Sequence, residues 1–276
     1  MTTATFLIIL CAAALHASWN AMVKAGPDKL LTTVLVTTGA ALIAAPLLPL
    51  LPAPAPASWG WLAASACCQI AYYFLLMQAY RLSDMSQAYP LMRGTAPLIV
   101  ACVSVPLLGE ALSLPQYGAV GLIVTGVLAM TVGGPAAKRG SMYAIANAVM
   151  IASYTLIDGI GVRASGAPLS YTLWLFTLTA AGMLLCVFPK RALLLAYTRT
   201  HWKTGLLGGF GTMASYGLAL WAMTRAPVAM VAALRETSIL FATLIAAVVL
   251  KEGISRSRML AVLLIACGAV TMRITG

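Results

Sequence analysis

The chain has 276 residues, of which 62% are hydrophobic and only 8% charged, and its net charge is +11. A soluble domain carries about 25% charged residues, so this chain lacks the material for a polar skin and its solvent is lipid. The basic excess would point to nucleic acid in a soluble protein, but here it falls between apolar runs and reads as loop charge that sets topology.

A bilayer core takes about 20 apolar residues of helix. Ten stretches qualify: Ala4–Met22, Leu30–Leu51, Trp59–Tyr80, Met85–Leu108, Leu114–Val132, Ser141–Val162, Ser170–Phe188, Lys203–Met223, Val228–Leu250 and Met259–Ile274. The first has no basic residue before it, so Phe6 onward reads as a span rather than a cleaved signal. Breakers fall between spans at Gly26-Pro27, Pro49 to Pro56, Gly133-Gly134-Pro135 and Gly166-Ala167-Pro168. Only helices and closed barrels satisfy the backbone in lipid, and runs this long mean helices. The expected fold is all-α: a polytopic membrane protein of ten transmembrane helices. The cysteines Cys11, Cys67, Cys68, Cys102, Cys186 and Cys267 all lie in apolar runs and read as small buried side chains.

The odd-numbered loops hold 12 Lys and Arg residues, from Lys24 and Lys29 to Arg256 and Arg258. The even loops and the tail hold three, Arg163, Arg225 and Arg273. This bias places both termini away from the cytoplasm.

The chain repeats itself. A shift of 142 residues lays Arg93 on Arg235, Glu110 on Glu252, Ser113 on Ser255 and Gly126 on Gly268, with 12 of 38 positions identical over Arg93–Met130. The first spans of the halves match at another offset, Ala17-Ser18-Trp19 with Ala152-Ser153-Tyr154. Five spans per half is an odd number, so the second copy inserts upside down. The two inverted five-helix repeats are expected over residues 1–135 and 139–276. Such repeats mark secondary transporters, with the solute site near midplane between them.

Each half ends in a Leu-x-Glu loop before a last Gly-containing span, Leu108-Gly109-Glu110 and Leu250-Lys251-Glu252. In this the chain resembles the drug/metabolite transporter superfamily, EamA branch. The Leu15-His16-Ala17-Ser18-Trp19-Asn20 opening with Lys24 is also similar to a membrane protein family associated with phosphonate utilisation. The EamA resemblance implies a multi-pass protein of a bacterial inner membrane. It also implies alternating access and gradient-coupled movement, as an exporter, of small metabolites such as amino acids or other zwitterionic or anionic solutes. The expected partners are a small-molecule solute and the lipid bilayer, not nucleic acid, with the chain working as a monomer or weak homodimer. No cofactor or metal is expected.

Arg93 lies about 12 Å into span 4 at 1.5 Å per residue, and Arg235 lies at similar depth in span 9. An Arg at midplane costs about 3 kcal/mol and must be justified by a partner or a cavity. Two guanidinium forks on one cavity suit a carboxylate, phosphate or phosphonate. Pairing with a carboxylate such as Glu236 is the structural alternative. His16, Asn20 and Lys24 share one face of span 1 beside Trp19. His16 is a proton-carrier candidate, and Lys24 reads as snorkelling. Gln69 and Tyr73 on span 3 and Tyr216 on span 8 read as lining or as packing. Asp158 reads as an ion pair with Arg163 or as a coupling carboxylate, a role for which Glu236 is also a candidate. Glu110 and Glu252 read as caps of the helices that follow them, and Gly118, Gly121 and Gly126 as close-packing positions. The cavity is expected between spans 1, 3, 4, 6, 8 and 9, with spans 5 and 10 outside it. No phosphate-binding loop or hydrolase motif appears. The alternative to transport is an intramembrane enzyme acting on a lipid or small polar metabolite, which needs acids converging at one depth.

Overall fold

A computed structural model describes residues 1–83, 85–130, 138–248 and 256–275. The Gly133-Gly134-Pro135 breaker and Glu252 lie outside these, as does the side chain of Lys24. The described residues are helical, with no strand among them. In chain order the helices are α1 (Thr3–Ala25), α2 (Lys29–Ala44), α3 (Trp59–Leu82), α4 (Met85–Leu108), α5 (Leu114–Ala129) and α6 (Lys138–Ser165). They continue with α7 (Pro168–Val187), α8 (Arg191–Met223), α9 (Val228–Arg235), α10 (Ser238–Val248) and α11 (Arg256–Thr275).

Among the described residues eight stretches are long and apolar enough to cross a bilayer, and one of them, Pro168–Met223, contains both α7 and α8. Helix α5 is apolar but shorter, Leu114–Ala129. The expectation of ten spans is therefore met only in part. Two departures have physical causes. Helix α8 starts 12 residues earlier than expected, at Arg191 rather than Lys203, and bends at His201, whose φ of −118° and ψ of 15° leave the helical region. The span expected at Val228–Leu250 is broken into α9 and α10. Around the break the backbone tightens to i→i−3 bonds, Glu236 N to Ala233 O and Thr237 N to Leu234 O, both 3.0 Å. The Thr237 hydroxyl also donates to Leu234 O at 2.7 Å, the competition with the backbone that makes Thr a poor interior residue.

Termini and loops follow local rules. Thr2 and Asp28 cap α1 and α2 by accepting from Thr5 N and Leu31 N. Ser113 and Gln116 form a capping box at α5. Gly109 and Gly166 adopt positive φ, 64° and 63°, where a side chain would be strained.

Helices approach where glycine permits. Gly39 of α2 lies on the Gly205 carbonyl of α8, and a Cβ at Gly209 would stand 2.6 Å from the Gly39 carbonyl carbon. Helices α5 and α11 cross in the same way. A Cβ at Gly126 would stand 2.9 Å from Ala261 O, and one at Gly268 2.8 Å from Ala119 O. Gly118 and Gly121 have nothing within 4 Å, so of the three span 5 glycines only Gly126 marks a close crossing.

The outer surface is apolar, with Leu114, Leu185, Leu207 and Ile274 among its exposed side chains. Five cysteines share that surface and Cys68 is half-buried. The expectation of buried cysteines is thus corrected: in lipid, apolar side chains need no protein cover.

Candidate functional site

One cavity lies between α1, α3, α4, α6, α7, α8 and α9. The cavity measures about 40 Å³, large enough to hold water. Of the residues singled out from sequence, His16, Trp19, Gln69, Tyr73, Arg93, Tyr216 and Arg235 all line it. Asn20 does not: its Nδ2 donates to His16 O at 2.9 Å within α1. Helices α5 and α11 contribute no lining, as expected, whereas α7 enters through Phe176.

The walls are largely aromatic. Tyr72 meets Tyr73 and Tyr154 at ring separations of 4.9 and 5.9 Å, and Tyr216 meets Tyr154 and Phe176 edge-on at 6.0 and 6.4 Å. His16 stands edge-on to Trp19 at 5.3 Å. Tyr154, Phe176 and Thr212 line the cavity without having been singled out. For Tyr154 the signal was present, since it is the repeat mate of Trp19. Phe176 and Thr212 carry none that separates them from packing residues.

The two arginines differ. Arg93 is held by Glu236, with Nε donating to Oε2 at 3.0 Å and Nη2 lying 2.8 Å from Oε1. Glu236 sits in the α9–α10 break, directly after Arg235. The position equivalent to Glu236 in the first half is Gly94, 142 residues earlier. The symmetric pairing therefore has no carboxylate for Arg235. Among the described residues no acid lies within ion-pair distance of Arg235. Its guanidinium instead covers the Tyr216 ring at 4.9 Å, a contact of about 2 kcal/mol when desolvated. Two more donors at the walls, Trp19 Nε1 and Gln69 Nε2, are buried without a partner among the described residues. Pro97 cannot donate to the Arg93 carbonyl four residues earlier, so α4 is locally unlatched beside the cavity.

The remaining acids stand elsewhere than expected. Asp158 is fully buried and does not meet Arg163. Its Oδ1 accepts from Tyr171 Oη at 3.0 Å and its Oδ2 from Tyr216 Oη at 2.6 Å. Arg163, about one and a half turns on, points away to Glu110 at 2.7 Å and to the carbonyls of Met223 and Ala226. Glu110 caps α9 rather than the α5 helix that follows it, accepting from Val228 N at 2.8 and 2.9 Å. A carboxylate at a helix N-terminus complements both the free N–H groups and the dipole. Among the described residues no cluster of metal-ligating side chains exists.

A solved crystal structure of a protein shares the fold, with a TM-score of 0.76 at 21% identity over 99% of this chain and 98% of that one. No curated protein sequence matches. The family model described as the EamA-like transporter family matches twice, over residues 3–132 and 138–274. With both halves matched, the chain belongs to the EamA-like transporter family.

Proposed function

We propose that the cavity binds a small solute with an anionic group, an amino acid or another zwitterionic or anionic metabolite, and moves it outward across a bacterial inner membrane by alternating access. The observation that carries this reading is Arg235: a guanidinium 6% exposed, on a cavity wall, with no acid in ion-pair distance among the described residues. Nearby, Trp19 Nε1 and Gln69 Nε2 lack acceptors. A carboxylate or phosphonate supplies what these donors lack, and buried unmet donors are costly otherwise. The aromatic walls suit an apolar body on the same solute. Inverted repeats around the cavity, residues 1–135 and 139–276, supply two related halves that rock against each other.

An enzyme acting within the membrane is less well supported, because Glu236 is engaged by Arg93 and Asp158 by two tyrosines. The test is counterflow in liposomes across amino acids, organic acids and phosphonates. Arg235→Ala abolishes accumulation of the wild-type solute and Arg235→Lys weakens it, since Lys keeps charge but loses the fork. Undiminished counterflow by Arg235→Ala overturns the reading.

A further inference from the structure

The cavity reading uses Tyr216 as the wall under Arg235 and leaves Asp158 without a task. Asp158 is nonetheless an unusual group. It is fully buried, and no cation lies within ion-pair distance among the described residues. Its hydrogen bonds come from two neutral hydroxyls, Tyr171 on α7 and Tyr216 on α8. The other groups facing it are Ser65 and Cys68 on α3, Tyr154 on its own helix and Arg235 on α9 at longer range. Ser65 Oγ is buried and has no well-aligned partner. A buried ionised carboxylate needs a counter-charge or strong donors to offset its desolvation. Here it has hydroxyls alone, one of which also faces the cavity.

The geometry points to Asp158 as a proton-binding site linked to solute binding through the Tyr216 hydroxyl. That hydroxyl has one proton to give. With Asp158 ionised, the proton is committed to Oδ2 across 2.6 Å. When Asp158 takes a proton from solution it becomes a donor, Tyr216 Oη accepts from it, and the tyrosine O–H turns to the cavity. There it joins Arg235, which already covers the same ring, as a donor for an anion. Protonation also removes one negative charge from the neighbourhood of an anionic solute. Proton and anion therefore favour each other's binding, and linkage makes the effect reciprocal. The proton site stands on the geometry of Asp158; its coupling rests on the anion-site reading of Arg235.

Two measurements separate these layers. In pH-difference infrared spectra of protein in phosphatidylcholine vesicles, a protonated-carboxyl band is expected to titrate. It should vanish in Asp158→Asn and shift in frequency in Tyr216→Phe, which removes one hydrogen bond. An unchanged band in Asp158→Asn overturns the proton site. If that variant does not fold, an unshifted band in Tyr216→Phe overturns it. Calorimetry with benzoate as probe, in two buffers of different ionisation heat, should show proton uptake on benzoate binding in wild type, less in Tyr216→Phe, which keeps only the electrostatic part of the coupling, and none in Asp158→Asn. Equal proton uptake in all three overturns the coupling. Absence of benzoate binding to wild type, with the infrared signature intact, overturns the anion-site reading and supports the proton site alone.

Discussion

Arg93 of the first half pairs with Glu236 of the second and holds it at two points, 3.0 and 2.8 Å. Both side chains are almost fully buried, at 8% and 5% exposure. Removing one partner of such a pair leaves an uncompensated charge and costs about 3–5 kcal/mol. Arg93→Ala and Glu236→Gln should each lower the thermal unfolding temperature in detergent sharply. Arg235→Ala strands no acid and should leave that temperature nearly unchanged while removing solute binding. Equal destabilisation by Arg93→Ala and Arg235→Ala would mean that Arg235 has a structural partner of its own.

The α5–α11 crossing makes a second contrast. Gly126 and Gly268 sit where a Cβ would meet a backbone carbonyl of the facing helix within 3 Å. Val at either position should destabilise by about 1–3 kcal/mol, the range for overpacking. Gly118→Ala and Gly121→Ala meet open space and should be neutral or slightly stabilising, since Ala is the better helix former by about 1 kcal/mol. Detergent melting curves of the four variants decide it, and a similar loss in all four would contradict the packing described here.

These residues also mark how far the sequence carries. The helical class and the membrane setting were legible because apolar runs of bilayer length admit few other structures. The Arg93–Arg235 match was legible because polar identities at a fixed shift are rare in apolar sequence. The break after Arg235 was not, because Glu-Thr-Ser lacks the Gly or Pro that punctuates most helix ends. Partner choice was hidden too. Asp158 and Arg163 are neighbours in the chain, but Asp158 meets tyrosine hydroxyls of α7 and α8, while Arg163 reaches the loop before α5 and the carbonyls at the end of α8 and just beyond it. Glu110 precedes α5 yet caps α9, a contact set by tertiary packing between the halves. The differing states of the two arginines rest on one substitution within the repeat, Glu236 against Gly94, visible in the alignment but without meaning until Arg93 is seen holding that glutamate.

The Glu110 knot ties three segments at one end of the bundle: the loop before α5, the end of α6 and the turn before α9. Beside it Ala55 N donates to Ser165 O at 3.0 Å. If the two halves rock as proposed, this end must open at some stage. Glu110→Ala removes a cap, about 1 kcal/mol, together with the Arg163 pair. It should speed thiol labelling of a cysteine placed at Ala226, which is buried at 7% exposure. Arg163→Ala should do the same. Labelling rates equal to those of Ala226→Cys alone would show that other contacts hold this end shut.

Arg273 Nη2 donates to Thr3 Oγ1 at 2.6 Å, so the two ends of the chain lie together at one end of the bundle. Gln116 Nε2 adds a bond to Thr275 O at 3.0 Å, which places the start of α5 there as well. In chain order the odd-numbered loops alternate with these and carry 12 of the 15 basic residues outside the span interiors, counting all Lys and Arg except Arg93 and Arg235. Lys and Arg in short loops stay on the cytoplasmic side, so both termini should be periplasmic. Alkaline phosphatase fused after Gly276 should be active and a fluorescent protein fused there dark. A fusion after Thr200, in the basic segment between α7 and the bend of α8, should give the reverse. Activity of phosphatase at Thr200 with none at Gly276 would invert the assignment and, with it, the direction in which the Glu110 end opens.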